Sequence, residues 1–132
     1  MHLLFLVYLA TMIVWSFASF MMREEHAAGS ALFWNRVMVV GSAGMPIAFF
    51  AFVRVFLRRR GRILFLAGLI SYLLTQIANV TGLLITDAEL IDGLLYNDYG
   101  IALPLIGTSW VFFIGYSVFD LIRAARSTKD TT

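Results

Sequence analysis

Ala51-Phe52-Val53-Arg54-Val55-Phe56-Leu57-Arg58-Arg59-Arg60-Gly61-Arg62-Ile63-Leu64-Phe65-Leu66 is the end of one apolar run, a knot of arginines and the start of another. A guanidinium cannot be left in hydrocarbon, so the knot lies outside the lipid while the flanking residues enter it. Working outward, four apolar runs emerge, at about 3–22, 37–56, 63–86 and 101–122. Each approaches or exceeds the roughly 20 residues that a helix needs to cross a hydrocarbon core of about 30 Å. Little of the 132-residue chain is left over. The pattern predicts an all-α, polytopic membrane protein with four transmembrane helices. One membrane domain is expected over 1–126, followed by a polar tail at 127–132.

The loops orient the runs. Arg58, Arg59, Arg60 and Arg62 resist translocation and belong in the cytoplasm, and the tail carries Arg123, Arg126 and Lys129. The segment 87–100 holds Asp87, Glu89, Asp92 and Asp98 and no basic residue, so it is expected outside. Alternation then puts the first loop outside and both termini inside. Trp34, Tyr96 and Tyr99 fall at the outer edges of runs, where amphipathic rings favour the headgroup level. These aromatics and the arginine cluster are the expected topology anchors. The apolar patch 90–95 within the outer segment is expected to lie on the membrane surface as a helical turn or two. The first run is a retained helix rather than a signal peptide, because only His2 precedes it and Arg23-Glu24-Glu25 stands where a cleavage site would.

Composition removes several function classes. Hydrophobic residues make up 61% of the chain, charged residues 14%, and there is no cysteine; the mean hydropathy is +0.85. Disulfides, thiolate metal sites and cysteine nucleophiles are therefore excluded. The formal charge is +2, but the arginines flank spans, so the basic balance reads as membrane orientation and not as nucleic-acid binding. Retinal requires a buried lysine, and the one lysine is Lys129. Haem requires axial ligands, and His2 and His26 belong to opposite sides. Arg23, Glu24, Glu25 and His26 offer too few ligands for a metal. No P-loop, dinucleotide or nucleophile motif occurs. The expectation is therefore no catalytic residue, no cofactor and no metal.

Gly68, Ser71, Thr75, Asn79, Gly82 and Thr86 recur every three or four residues through the third run, on one helix face. Small and weakly polar residues on one face let helices approach and hydrogen-bond; the same face can line a small-ligand pocket. Gln76 sits one residue off the line. Asn79 and Gln76 stand out because a buried amide in lipid needs partners. Pro46, after Gly41, Ser42 and Gly44, frees the carbonyl of Ser42, and a bend is expected there with the third or fourth helix packed close. The candidate ligand and packing face is thus Ser71, Thr75, Gln76, Asn79 and Pro46. Gly107 and Gly115 share a face of the fourth run, with helix packing as the default. Arg54 and Asp120 lie at similar depth near the inner ends of their runs, as interface anchors or as a pair. No carboxylate sits in mid-membrane, which disfavours a proton-coupled pump.

Ala31-Leu32-Phe33-Trp34-Asn35-Arg36-Val37, then Gly41, Pro46 and Phe49-Phe50-Ala51-Phe52, resembles the N-terminal seven-helix membrane region of prokaryotic sensor histidine kinases. Trp15-Ser16-Phe17, the Tyr99-Gly100 opening of a span, and Tyr116 and Leu121 fit the same pattern. The resemblance spans about four of the seven helices. It implies membrane-embedded signal input, relayed by helix repacking to a homodimer partner or a cytoplasmic output domain at the cell (inner) membrane. The phospho-accepting histidine motif and the ATP-binding motifs of a kinase are absent here. The resemblance thus implies an input region or a truncated gene product, not catalysis by this chain. The alternative is a stand-alone small integral membrane protein acting as a partner subunit, carrier or channel.

Overall fold

A computed structural model of the chain describes residues 2–24 and 31–129. The metal reading at Glu25 and His26 lies outside the described residues. Among the described residues there are four helices, α1 (His2–Arg23), α2 (Ala31–Phe56), α3 (Arg62–Val80) and α4 (Leu103–Lys129), and one two-stranded hairpin, β1 (Ile85–Ile91) and β2 (Leu94–Tyr99). All four helices are long and apolar enough to cross a membrane.

The second helix is the centre. It packs against α1, α3, α4 and β1, while α1 packs chiefly against α2. Burial follows: Val39, Ala43, Ile47, Phe50 and Val53 of α2 are interior, whereas α1 buries only Ala18 and Met22. The remaining apolar side chains, such as Leu3, Ile13, Ile63 and Val111, point outward and are solvated by lipid tails. Gly41 sets the α1–α2 distance. A Cβ there would stand 2.6 Å from the Thr11 carbonyl oxygen and 2.7 Å from the Trp15 nitrogen, so the two backbones touch. Gly44 faces the Thr11 and Tyr72 side chains. These small residues therefore admit α1 at Gly41, and α1 and α3 at Gly44, not the third or fourth helix alone. Gly68 does seat α4, with the Phe113 ring at its face.

Helix ends depart from the apolar runs where capping decides. The third helix stops at Val80, not at 86. Gly82 takes a φ of +79°, and the Leu83 amide donates back to the Ala78 carbonyl at 2.9 Å, a glycine-terminated helix end. Gly82 and Thr86 therefore leave the stripe. At the end of α2, Arg58 adopts φ 52° while the amides of Arg58 and Arg59 donate to the carbonyls of Val55 and Arg54 at 3.0 and 2.9 Å. The same device, built on a non-glycine residue, folds Arg59 back over the bundle. At the other boundaries, α2 starts at Ala31 rather than 37, and α4 runs on to Lys129.

The acidic segment is a β-hairpin, not a loop with a surface helical turn. Asp92 and Gly93 have φ of 51° and 77°, the left-handed pair that a two-residue hairpin turn requires. The register pairs Ile91 with Leu94, Leu90 with Leu95 and Ala88 with Asn97, with an irregularity between Ile85 and Asp87. Leu84 and Ile85 are buried against Val39, Ala43 and Ala78, and Ala88 is buried as well. Gly100 is obligatory, because any Cβ would collide with the Leu83 backbone; the Gly100 amide instead donates to the Leu84 carbonyl at 2.9 Å. The hairpin caps one end of the bundle. The turn after α2, the Leu4 end of α1 and Asp120 of α4 gather at the other.

Candidate functional site

Polar side chains concentrate at three levels along α2. At the hairpin end, Asn35 is 1% exposed and its Nδ2 donates to Oδ1 of Asn97 on β2 at 3.0 Å, tying the hairpin to α2. Asn79 is 2% exposed. Its Nδ2 donates to the Arg36 carbonyl at 2.9 Å and, more weakly, to Gln76 Oε1 at 3.4 Å. Four buried polar atoms at this end, Asn35 Oδ1, Arg36 Nε, Gln76 Nε2 and Asn79 Oδ1, have no partner among the described residues. Such atoms are costly in a bundle surrounded by lipid, and they offer both donors and acceptors to a small polar group.

In the middle, the stripe on α3 meets α4. Ser71 and Ser109 share a hydrogen bond at 2.7 Å, and the buried Thr75 donates back to the Ser71 carbonyl at 2.8 Å. The Ser42 carbonyl, which the ring of Pro46 deprives of its helical donor, accepts instead from Trp110 Nε1 on α4 at 3.0 Å. Pro46 itself is fully buried. Tyr72 donates from α3 to the Val40 carbonyl at 3.2 Å. Two neighbouring helices thus attach to the backbone of α2 within a few residues of its proline.

At the arginine end, Asp120 of α4 is 3% exposed. One Oδ1 accepts from Arg59 Nη1 at 2.7 Å, and Oδ2 lies 3.4 Å from Arg54 Nη1. Arg54 also donates to the Tyr116 hydroxyl at 3.1 Å, and its guanidinium carbon sits 5.2 Å from the Phe50 ring centre and 5.0 Å from that of Tyr116. The two anchors of the sequence reading are therefore a pair, joined by Arg59 as a third member.

The candidate face is only partly one surface. Ser71, Thr75 and Asn79 point into the bundle, Gln76 flanks Asn79, and Pro46 lies on α2, reached from α4. Of the anchors, Arg58, Arg60 and Arg62 are exposed whereas Arg59 is engaged with Asp120. Tyr96 and Tyr99 are exposed on β2, and the Trp34 ring stands edge-on to Phe17 at 5.8 Å. Gly107 and Gly115 face open space rather than a neighbouring helix. Asn35, Asn97 and Trp110 escaped the sequence reading. Only Trp110 left a signal, an indole well inside a run at a depth where Pro46 frees a carbonyl.

Four spanning helices, polar straps between them and lipid-facing apolar surfaces define a multi-pass helical membrane protein. The family described as the N-terminal 7TM region of histidine kinase matches residues 2–132. The chain belongs to that family, the membrane-embedded sensor region of such kinases, and its described residues carry four helices of spanning length where the family description counts seven. No curated protein and no solved structure matches the chain. Membership places the chain in a lipid bilayer and implies a kinase part on the cytoplasmic side.

Proposed function

We propose that this chain is a non-catalytic signal-input module in which a stimulus at the hairpin end repacks α4 against α2 and so moves the segment around Arg123–Arg126. Residues 1–126 act as one membrane unit of the inner membrane, with both termini in the cytoplasm, and the output lies on an attached or dimer-related kinase part. The observation that carries the reading is the strapping of α4 to α2 at two levels: Trp110 to the Ser42 carbonyl at 3.0 Å, and Asp120 to Arg54 and Arg59. Straps of this kind have discrete made and broken states, which is what a two-state relay requires. The partnerless atoms of Asn35, Arg36, Gln76 and Asn79 support the hairpin end as the place where a polar signal binds.

The test is a chimera of the chain with a kinase reporter carrying Asp120→Asn or Pro46→Ala. A relay changes basal or stimulated output at normal membrane abundance. Unchanged output from both variants refutes it. The second reading, a partner subunit or homodimer, draws on the open face of Gly107 and Gly115 with Val111 between them. Close packing of another helix against that face follows the small-residue rule for membrane helices.

A further inference from the structure

We infer that the cleft between α1 and α3 is a binding site for one anionic phospholipid, with its phosphate at Arg59 and Arg62 and an acyl chain along α2. This site shares Arg54 and Arg59 with the strap to α4, but lipid retention can be measured whether or not the relay operates. Two cavities line the cleft, of about 260 Å³ and about 300 Å³, and both are bounded by Leu4, Ala51 and Phe65. The first reaches Thr11, Gly44 and Tyr72 and is almost wholly apolar. The second ends at Arg54, Arg59, Gly61 and Arg62. The cleft thus runs from hydrocarbon depth to a basic mouth, which is the polarity profile of a single lipid.

Three features of the mouth select a negative headgroup. Arg54 and Arg59 share the single carboxylate of Asp120, and Arg62 has no ion pair or hydrogen bond among the described residues, so the mouth keeps a positive excess. The start of α3 borders it: Gly61, which caps that helix without a side-chain hydrogen bond, and Arg62 line the mouth, so the positive end of the helix dipole lies beside it. Gly61 also lacks a side chain that would narrow the mouth; its Cβ would stand 3.0 Å from Arg54 Nε. A basic cluster at the end of a span is the usual reader of anionic lipid headgroups. The open apolar cleft below it favours a lipid over a free phosphate, which would leave that surface unfilled.

The experiment uses the full chain purified in a neutral detergent. Bound lipid is counted by native mass spectrometry, and the thermal transition is followed while phosphatidylglycerol, phosphatidylcholine, glycerol phosphate or inorganic phosphate is added. Phosphatidylglycerol should be retained at one per chain and raise the transition, with phosphatidylcholine and both soluble phosphates ineffective. Arg62→Gln should weaken retention about five-fold, the effect of one arginine at a lipid surface. Leu4→Trp, which fills the waist shared by the two cavities, should abolish it, and Arg60→Gln, away from the mouth, should leave it intact. Equal retention of phosphatidylcholine overturns the site. So do equal stabilisation by inorganic phosphate, lipid retention unaffected by Leu4→Trp, and a lipid-free dimer occupying the cleft. The selectivity of the unmodified chain decides the matter if a variant fails to fold.

Discussion

Trp110→Phe removes one hydrogen bond and keeps an aromatic ring on α4. The indole N–H donates to the Ser42 carbonyl at 3.0 Å, and that carbonyl lacks its ordinary helical donor because residue 46 is proline. Without the indole the carbonyl has no donor in a lipid-surrounded bundle. Leaving an acceptor unmade away from water costs about 1–3 kcal/mol, while hydrogen bonds between membrane helices average about 0.6 and reach about 1.7 kcal/mol. The overlap sets an expected loss of about 1 kcal/mol, roughly a five-fold change in the unfolding constant. In a Pro46→Ala background the alanine amide returns to the Ser42 carbonyl, so the same Trp110→Phe change should cost only the lost ring area. That area term is common to both backgrounds and cancels in a double-mutant cycle, leaving a coupling of about 1 kcal/mol. Equilibrium unfolding of the four variants in bicelles measures it. Additivity within about 0.3 kcal/mol would refute the claim that the indole replaces the missing donor.

Three further outcomes are expected. Asp120→Asn should destabilise by about 3 kcal/mol, because two guanidiniums lose a buried partner, while Arg59→Gln, whose side chain is 35% exposed, should cost at most about 1 kcal/mol; equal costs in bicelle unfolding would show that burial does not set the strength of this cluster. Gly41→Val should cost about 3 kcal/mol by forcing α1 off α2, with Gly107→Val nearly neutral because nothing lies within 4 Å of its Cβ position; the ranking is read from membrane abundance and thermal stability. On the cysteine-free chain, a cysteine at Glu89 should react with an impermeant thiol reagent on intact cells and one at Arg60 only after permeabilisation, and the reverse pattern would invert the proposed topology.

The helices were legible because lipid imposes a simple rule: a long apolar run must satisfy its own backbone. Thr75 and Asn79 were found by the same logic, since period and polarity place them on the packed face. The hairpin was hidden by its surroundings. Asp92-Gly93 is a strong two-residue turn signal, but the acidic residues flanking it read as a loop, and the alternation around them is short. The end of α3 at Val80 was hidden because apolarity continues through Leu83 and Leu84 while Gly82 ends the helix by conformation. Asn35, between Trp34 and Arg36, drew no reading of its own. Its burial depends on Asn97, sixty-two positions away, a pairing that exists only once the hairpin has formed. Gly107 and Gly115 matched the packing pattern and yet face open space, because a small-residue face says that a helix can approach and not which helix does.

In the proposed relay the three levels of polar contact take different mechanical roles. Asn35 binds the hairpin to α2, so a displacement of the hairpin is felt first by the helix at the centre of the bundle. Between that point and Pro46 the backbone of α2 is held from α3 by Tyr72 and from α4 by Trp110. Beyond it, Arg54 and Arg59 hold Asp120 on α4. Since Arg54 lies on α2 itself and Arg59 on the turn beyond it, a small change in the end of α2 alters the two ion pairs unequally. The closer one, at 2.7 Å, follows the turn; the longer one, at 3.4 Å, follows the helix. A carboxylate shared between two arginines on separate elements can exchange one for the other without ever being left unpaired in the membrane. In the proposed relay, that exchange avoids the desolvation penalty of breaking a lone buried pair.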